Sequence, residues 1–321
     1  MHLIFRKLVY ICGMLILISL ISFLAIHVAP NSFFAAGELN PNITKESIDH
    51  LKAIYGLDKP LYEQYLRWVW AMFHLDFGLS FASGKAVTEE IVSRLPITLT
   101  INLASMFFVF FISLWLGMKA ALKQHSLKDR AIKQLSLVSF AMPSFYLSLL
   151  LILFLSLKLG WFPISGLQSI EPKDGVAKWI DQAWHLSLPI FVMVFSGIGG
   201  LTMYVRSLTL EILKSDYIFF AKARGIDEKI VRRKFIIPNL MPSIITILGL
   251  SLPGLIGGSV VIESIFSING MGLLFYQSAL SRDYPVIMGI LIITAFLTLL
   301  GNVLADLALA KLNPYFRDKS L

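Results

Sequence analysis

Apolar residues gather along the chain into six long runs: approximately Leu8 to Ala29, Ile97 to Met118, Leu135 to Leu157, Leu186 to Val205, Pro242 to Ile262 and Pro285 to Leu309. Each is close to the roughly 20 residues that a helix needs to cross a hydrocarbon layer about 30 Å thick. A helix bonds all of its backbone groups within itself, which is what a medium without water demands. The pattern therefore predicts an all-α integral membrane protein with about six transmembrane helices. Asp306 is the one charge inside these runs. With Asn302 one turn earlier, it is expected to form a structural hydrogen bond between spans.

The polar stretches between the runs sort by charge. The first run follows Arg6 and Lys7, as a secretory signal would, but it is about 22 residues long and lacks a small-x-small cleavage site, so it reads as a retained anchor. If the N-terminus is inside, the inner segments carry eighteen of the 28 Lys and Arg, including eight between Arg206 and Lys234. By the positive-inside rule both termini are expected in the cytoplasm. The linear organisation expected is an anchor helix over 1–30, an outer subdomain over 31–95, a five-helix core over 96–311 that contains an inner segment 206–241, and an inner tail over 312–321.

The outer stretch 31–95 carries its own helix signals. Thr44 can cap a helix whose apolar residues Ile48, Leu51 and Tyr55 recur at helical spacing, and Gly56 can stop it. After Pro60, LYEQYLRWVWAMF places Tyr62, Tyr65, Trp68 and Trp70 close together; such rings favour the headgroup layer. Interfacial anchoring and a stacking platform for substrate both stay open. TEEIVSRLP sets Glu89 and Glu90 in a first helical turn, where the dipole favours them, and is expected to lie along the surface before the second run. GWFPISG and SINGMG are turn-rich knots in later outer loops.

Composition narrows the function classes. A chain that is 56% hydrophobic and 15% charged would leave large apolar areas wet as a soluble globule. The net charge of +8 falls at membrane flanks, where anionic headgroups and topology explain it without nucleic acid. Cys12 is the only cysteine and the six histidines are scattered singly, so neither a disulfide framework nor a metal site is expected. No G-x-x-x-x-G-K-[ST] occurs; SFASGKA at 80–86 imitates it without the first Gly in register or the final hydroxyl. No Ser/His constellation suggests a hydrolase in the spans, and a self-sufficient proton-coupled carrier would bury more titratable groups.

The inner segment DYIFFAKARGIDEKIVRRKFIIPN is built differently from an ordinary basic loop. Ser215 or Asp216 can cap a short helix through Arg224, Gly225 can take the positive φ that turns the chain, and Asp227 can cap a second helix. Pro238 marks the approach to the fifth run. Tyr217, Ala221, Ile226 and Ile230 are expected to form an apolar knob within a basic surround. The small residues Ala221, Ala223 and Gly225 admit another backbone closely, while Lys222, Arg224, Arg232 and Arg233 can steer acidic neighbours.

This segment resembles the EAA loop of permease subunits of ATP-binding-cassette importers, in which nine residues separate the glycine from I-x-L-P. Here Ile226 to Lys234 separate Gly225 from FIIP, although Phe219, Phe220 and Ala221 stand at the EAA positions. YGLDKPLYEQYLRW, LDFGLS, SRLPITL, ALKQHSLKDR, MPSFYLSLLLILFLS, VVIESIFSINGMG and SRDYPVIMG extend the likeness over most of the chain. Together they are similar to the dipeptide, oligopeptide and nickel permease family, in its type with a long first extracytoplasmic loop. Ile268-Asn269 stand where Trp-Pro is usual, and Asn313-Pro314 where Asp-Pro is usual.

The resemblance implies a non-catalytic subunit of a bacterial inner membrane importer. It would enclose a path with a second permease, be driven by two ATPase subunits that hold ATP and magnesium, and be fed by an extracytoplasmic solute-binding protein; the chain itself would carry no cofactor. The implied cargo is a peptide, with nickel or a nickel chelate as the alternative. Residues Asp216, Tyr217, Ala221, Lys222, Ala223, Arg224, Gly225, Ile226, Ile230 and Pro238 would form the cytoplasmic coupling helix and its exit. Gly254, Gly257, Gly258 and Glu263 are the candidate path residues. For these glycines and Gly249, plain helix packing explains the sequence equally well, and Glu263 reads either as an outer-gate carboxylate or as one reached by interfacial water.

Overall fold

The computed structural model describes residues 2–28, 58–171, 173–255 and 259–312. The expected Thr44-capped helix, Gly257 and Gly258 lie outside these residues, as does the side chain of Asp306. The regular structure of the described residues is helical, with one isolated antiparallel bridge between Leu79 and Ala86. Four of its helices are long and apolar enough to cross a membrane, or five if a bent pair is taken as one span. It divides into two compact units.

The first unit comprises residues 1–98, 256–260 and 269–300. It holds α1 (His2–Val28), α2 (Leu61–Phe73), the start of α3 (Val87–Leu122), and two later helices, α4 (Met271–Ser281) and most of α5 (Tyr284–Leu312). Met72, Phe77, Val87, Ile91, Met271, Leu274, Val286 and Ile290 form its core. A Cβ on Gly289 would lie 2.6 Å from Val87 Cγ1, so α5 and α3 meet at a distance only glycine allows.

The loop between α2 and α3 is gathered onto one carboxylate. Asp283, 2% exposed, accepts from Ser80 Oγ at 2.5 Å, Phe81 N at 3.0 Å and Ala82 N at 3.1 Å. Ser83 Oγ donates to Glu90, which is paired with Arg94 one turn along α3. Removing the acceptor strands three donors, a cost of about 1–3 kcal/mol for each buried group left unsatisfied. Asp283→Ala is therefore expected to loosen this loop and speed tryptic cleavage at the exposed Lys85; an unchanged cleavage rate would count against this anchoring.

The predicted surface helix at 88–96 is instead the first two turns of α3, which runs through Pro96 without a break. A proline forfeits one backbone bond and crowds the carbonyl four residues back. Burial of Val87 and Ile91, at 0% and 1% exposure, holds the helix together across that defect.

The second unit comprises residues 99–255, 261–268 and 301–321. After α3 come α6 (Leu127–Ala141), α7 (Ser144–Leu151, wound on as a π-helix over Ile152–Lys158) and α8 (Gly175–Leu213). The third apolar run, expected as one rod, bends by 99° between α6 and α7. Pro143 causes this, because the residue before proline is driven from the helical region, and Met142 is extended at φ −82°, ψ 119°.

α8 is the hub of this unit. Ser139 Oγ of α6 donates to Phe195 O, and Ser113 Oγ of α3 donates to Ile198 O at 3.4 Å. Glycines bring the backbones together: a Cβ on Gly117 would meet Thr202 O at 2.7 Å, and one on Gly199 would meet Ser136 O at 2.6 Å. Small residues at helix contacts serve association where lipid tails offer no hydrophobic drive.

Candidate functional site

The inner segment forms α9 (Asp216–Ala223), a corner, and α10 (Glu228–Val231), which passes through a π-helical turn at Arg232–Ile236 into α11 (Ile237–Ser251). α9 ends as its sequence suggests. Gly225 has φ +71°, its N–H donates to Lys222 O at 2.9 Å, and Ile226 N donates to Ala221 O at 3.2 Å. This is the paired bonding of a Schellman motif, with Ile226 packed beside the cluster containing Ala221. Asp227 Oδ1 then accepts from Lys229 N at 2.7 Å and starts α10.

One local expectation is revised and another holds. Ser215 precedes α9 but does not cap it with its side chain; its hydroxyl turns back to Ile212 O at 2.5 Å. Pro238 stands in the first turn of α11, at the approach to the fifth run as expected, with no break between α10 and the span. The chain winds on continuously because the turn before it is wide: Ile237 N donates to Arg232 O, five residues back. A π-helical turn relieves the register that a proline ring would otherwise violate.

The corner has a buried side and an open side. Ile218, Ala221, Val231, Ile236 and Leu240 form one core, with Leu114 and Met118 of α3 and Leu208 and Leu213 of α8 packed against it. The expected knob is therefore divided, since an eight-residue helix that buries Ile218 and Ala221, three apart, turns the residues between them outward. Ala221 faces inward with the half-buried Ile226, whereas Tyr217 and Ile230 are exposed. They share the open side with Phe219 and Phe220, at 67% and 62% exposure, whose rings meet edge to face at 5.7 Å. Lys222, Ala223, Arg224, Gly225 and Pro238 are also exposed, as are Lys229, Arg232, Arg233 and Lys234.

An ion pair that the sequence reading did not identify fixes the support for this corner. Arg206, two turns before the end of α8, donates Nε to Asp129 Oδ1 at 2.7 Å and Nη2 to Asp129 Oδ2 at 2.9 Å. Asp129 is fully buried and also accepts from His125 N at 3.0 Å. Planar, bidentate pairing of this kind fixes both distance and orientation. The two residues are 77 apart in sequence, so no local pattern joins them.

Among the candidate path residues, Gly254 lies in a 3-10 turn at Leu252–Leu255 that ends the α-helical winding of α11. Leu255 O is held by Asn102 Nδ2 of α3 at 2.7 Å. Glu263, in α12 (Val260–Ile265), is 2% exposed, which corrects the expectation of a carboxylate reached by water. The chain folds back over that helix: Ser267 has φ +50°, Ile268 N donates to Glu263 O at 2.8 Å, and Phe266 O accepts from Gly166 N of the GWFPISG knot.

Residues 95–318 match the family described as binding-protein-dependent transport system inner membrane component, and residues 1–102 match its N-terminal companion. Oligopeptide transport system permease protein AppB of Bacillus subtilis (strain 168) is 39% identical, across 92% of this chain and 93% of its own. Dipeptide transport system permease protein DppB of Escherichia coli (strain K12) is 32% identical across 98% of each. In fold, the chain is similar to one in the inward-facing structure of the MetNI methionine ABC transporter, with TM-score 0.55, 19% identity, and coverage of 70% of this chain and 96% of that one. This chain belongs to the binding-protein-dependent transport system inner membrane component family, as a multi-pass, non-catalytic permease subunit.

Proposed function

We propose that this permease subunit forms, with a second permease, the path by which peptides enter a bacterial cell across the inner membrane. Peptides are the cargo named in relatives that align along nearly their whole length. An extracytoplasmic binding protein delivers the peptide, and two ATPase subunits, which bind ATP and magnesium, supply the motion. Both termini lie in the cytoplasm, the stretch between α1 and α3 belongs to the extracytoplasmic side, and the corner at 216–231 faces the ATPases. Gly254, in the 3-10 turn that ends α11, together with Gly257, Gly258 and Glu263, contributes to the path.

One observation carries the coupling role: the corner exposes large apolar side chains in a ring of cations while its inner side is locked to α3 and α8. Closure of the ATPases pushes that surface, and α8 and α11, continuous with it, move together. Covering a phenylalanine contributes about 1.5–3 kcal/mol. A Phe219→Ser/Phe220→Ser pair is therefore expected to weaken ATPase docking roughly 100-fold or more, while membrane insertion stays normal. Co-purification of the subunits and uptake of labelled dipeptides and oligopeptides, with nickel as a parallel cargo, test both halves. Intact docking in the double variant would overturn the coupling role, and uptake of nickel without peptide would overturn the cargo.

A further inference from the structure

Helix α2 carries two apolar sides. Tyr65, Trp68, Val69 and Met72 turn toward α1 and the core of the first unit. Tyr62, Leu66, Trp70 and Phe73 leave 69%, 61%, 70% and 66% of their surfaces uncovered, within an arc of about 80° at 100° per residue. The remaining arc is polar: Arg67 pairs with Glu63 at 2.7 Å, and Gln64 Nε2 donates to Lys59 O at 2.7 Å. A contiguous uncovered stripe of this kind marks a surface made to be covered.

The depth of the helix follows from its contacts with α1. Tyr65 Oη lies 2.9 Å from Ser19 Oγ and 3.4 Å from Ile16 O, Ser19 Oγ itself donates to Ile16 O at 2.7 Å, and the Tyr65 ring meets Phe23 edge to face at 5.3 Å. The apolar stretch of α1 runs from Val9 to Ala25. At 1.5 Å per residue, Ser19 and Ile16 lie about 9 Å and about 14 Å along α1 from the Ala25 end of that stretch. A phenol at such depth must find its partner inside the protein, and the chain Tyr65, Ser19, Ile16 supplies one.

We infer that α2 is sunk below the headgroups beside α1, with Tyr62, Leu66, Trp70 and Phe73 covered by the acyl chains of one leaflet and Glu63, Gln64 and Arg67 turned toward the water. The occupant of the open stripe is lipid because the same helix is fastened to α1 at hydrocarbon depth, so the stripe is continuous with the lipid-facing surface of a span. The inference rests on α1 being a membrane span. It assigns α2 the role of a brace that holds α1 against the first unit from within the bilayer.

The test uses the assembled transporter in vesicles of phosphatidylethanolamine and phosphatidylglycerol. Cys12→Ser clears the only cysteine of this chain, which is labelled before assembly, and Leu66→Cys, Phe73→Cys, Arg67→Cys and Ile21→Cys each accept a spin label; Ile21 is an exposed position on α1. Labels at 66 and 73 are expected to match the label at 21, relaxed by oxygen and shielded from a water-soluble nickel chelate, with the reverse at 67. Chelate access at 66 and 73 would show an aqueous stripe, and exclusion of both reagents there would show a protein partner. Either result, with position 21 still in lipid, overturns the inference alone; chelate access at 21 would remove the span beneath it.

Discussion

Arg206→Ala is expected to be among the most damaging single changes in this protein. It leaves the fully buried Asp129 carboxylate with His125 N and with Lys133, whose Nζ is 3.9 Å away. Breaking a buried pair by removing one partner costs about 3–5 kcal/mol, because the surviving charge stays desolvated. The thermal midpoint of the purified transporter should fall sharply, and the amount assembled in the membrane should fall with it. The double variant Asp129→Leu/Arg206→Met removes both charges and should recover most of the loss, since an apolar pair of similar volume is often as stable. A small effect in the single variant, or none of this recovery in the double, would show that the pair does not hold α6 to α8.

Gly199→Val is expected to be comparably severe, for a steric reason. The added Cβ would lie 2.6 Å from Ser136 O and 2.9 Å from Phe140 N, and both are backbone atoms of α6. Overpacking a core costs about 1–3 kcal/mol when side chains can give way, and here the helix itself must move. Gly200 is the internal control. Its Cβ would meet nothing nearer than Phe140 Cδ2 at 4.0 Å, so Gly200→Ala should be neutral or gain the helix propensity that glycine lacks, about 0.5–1 kcal/mol. Thermal midpoints of the two variants, adjacent in sequence and opposite in sign, decide whether α6 and α8 pack through that glycine.

The sequence displayed these features unequally. The apolar runs and the Gly225 corner were legible because they are local: hydrocarbon thickness sets a run length, and an αL position followed by Asp227 sets a turn. Pro143 and Pro96 look alike in sequence, yet one bends the chain by 99° and the other lies within a continuous helix. The difference lies in what packs around them, and the cluster that buries Val87 and Ile91 draws Met271, Leu274, Val286 and Ile290 from about 180 or more positions away in sequence, besides the nearby Met72 and Phe77. The Asp129–Arg206 pair and the Asp283 anchor were hidden for the same reason, since a charge does not name its partner. At the corner, the apolar residues were visible but their division into inward and outward sides was not. That division depends on where α3 and α8 end.

The wide turn at Arg232–Ile236 makes residue number itself a structural constraint between the corner and the span that follows. Deleting one residue there would restore ordinary winding and bring the Pro238 ring against the carbonyl four positions earlier, whereas a residue added to or removed from the regular winding of α11 would swing the Gly225 corner by about 100° around its axis. Phasing in this stretch is thus a separate inheritance from chemical identity: a length change could misaim the docking face even with every side chain preserved.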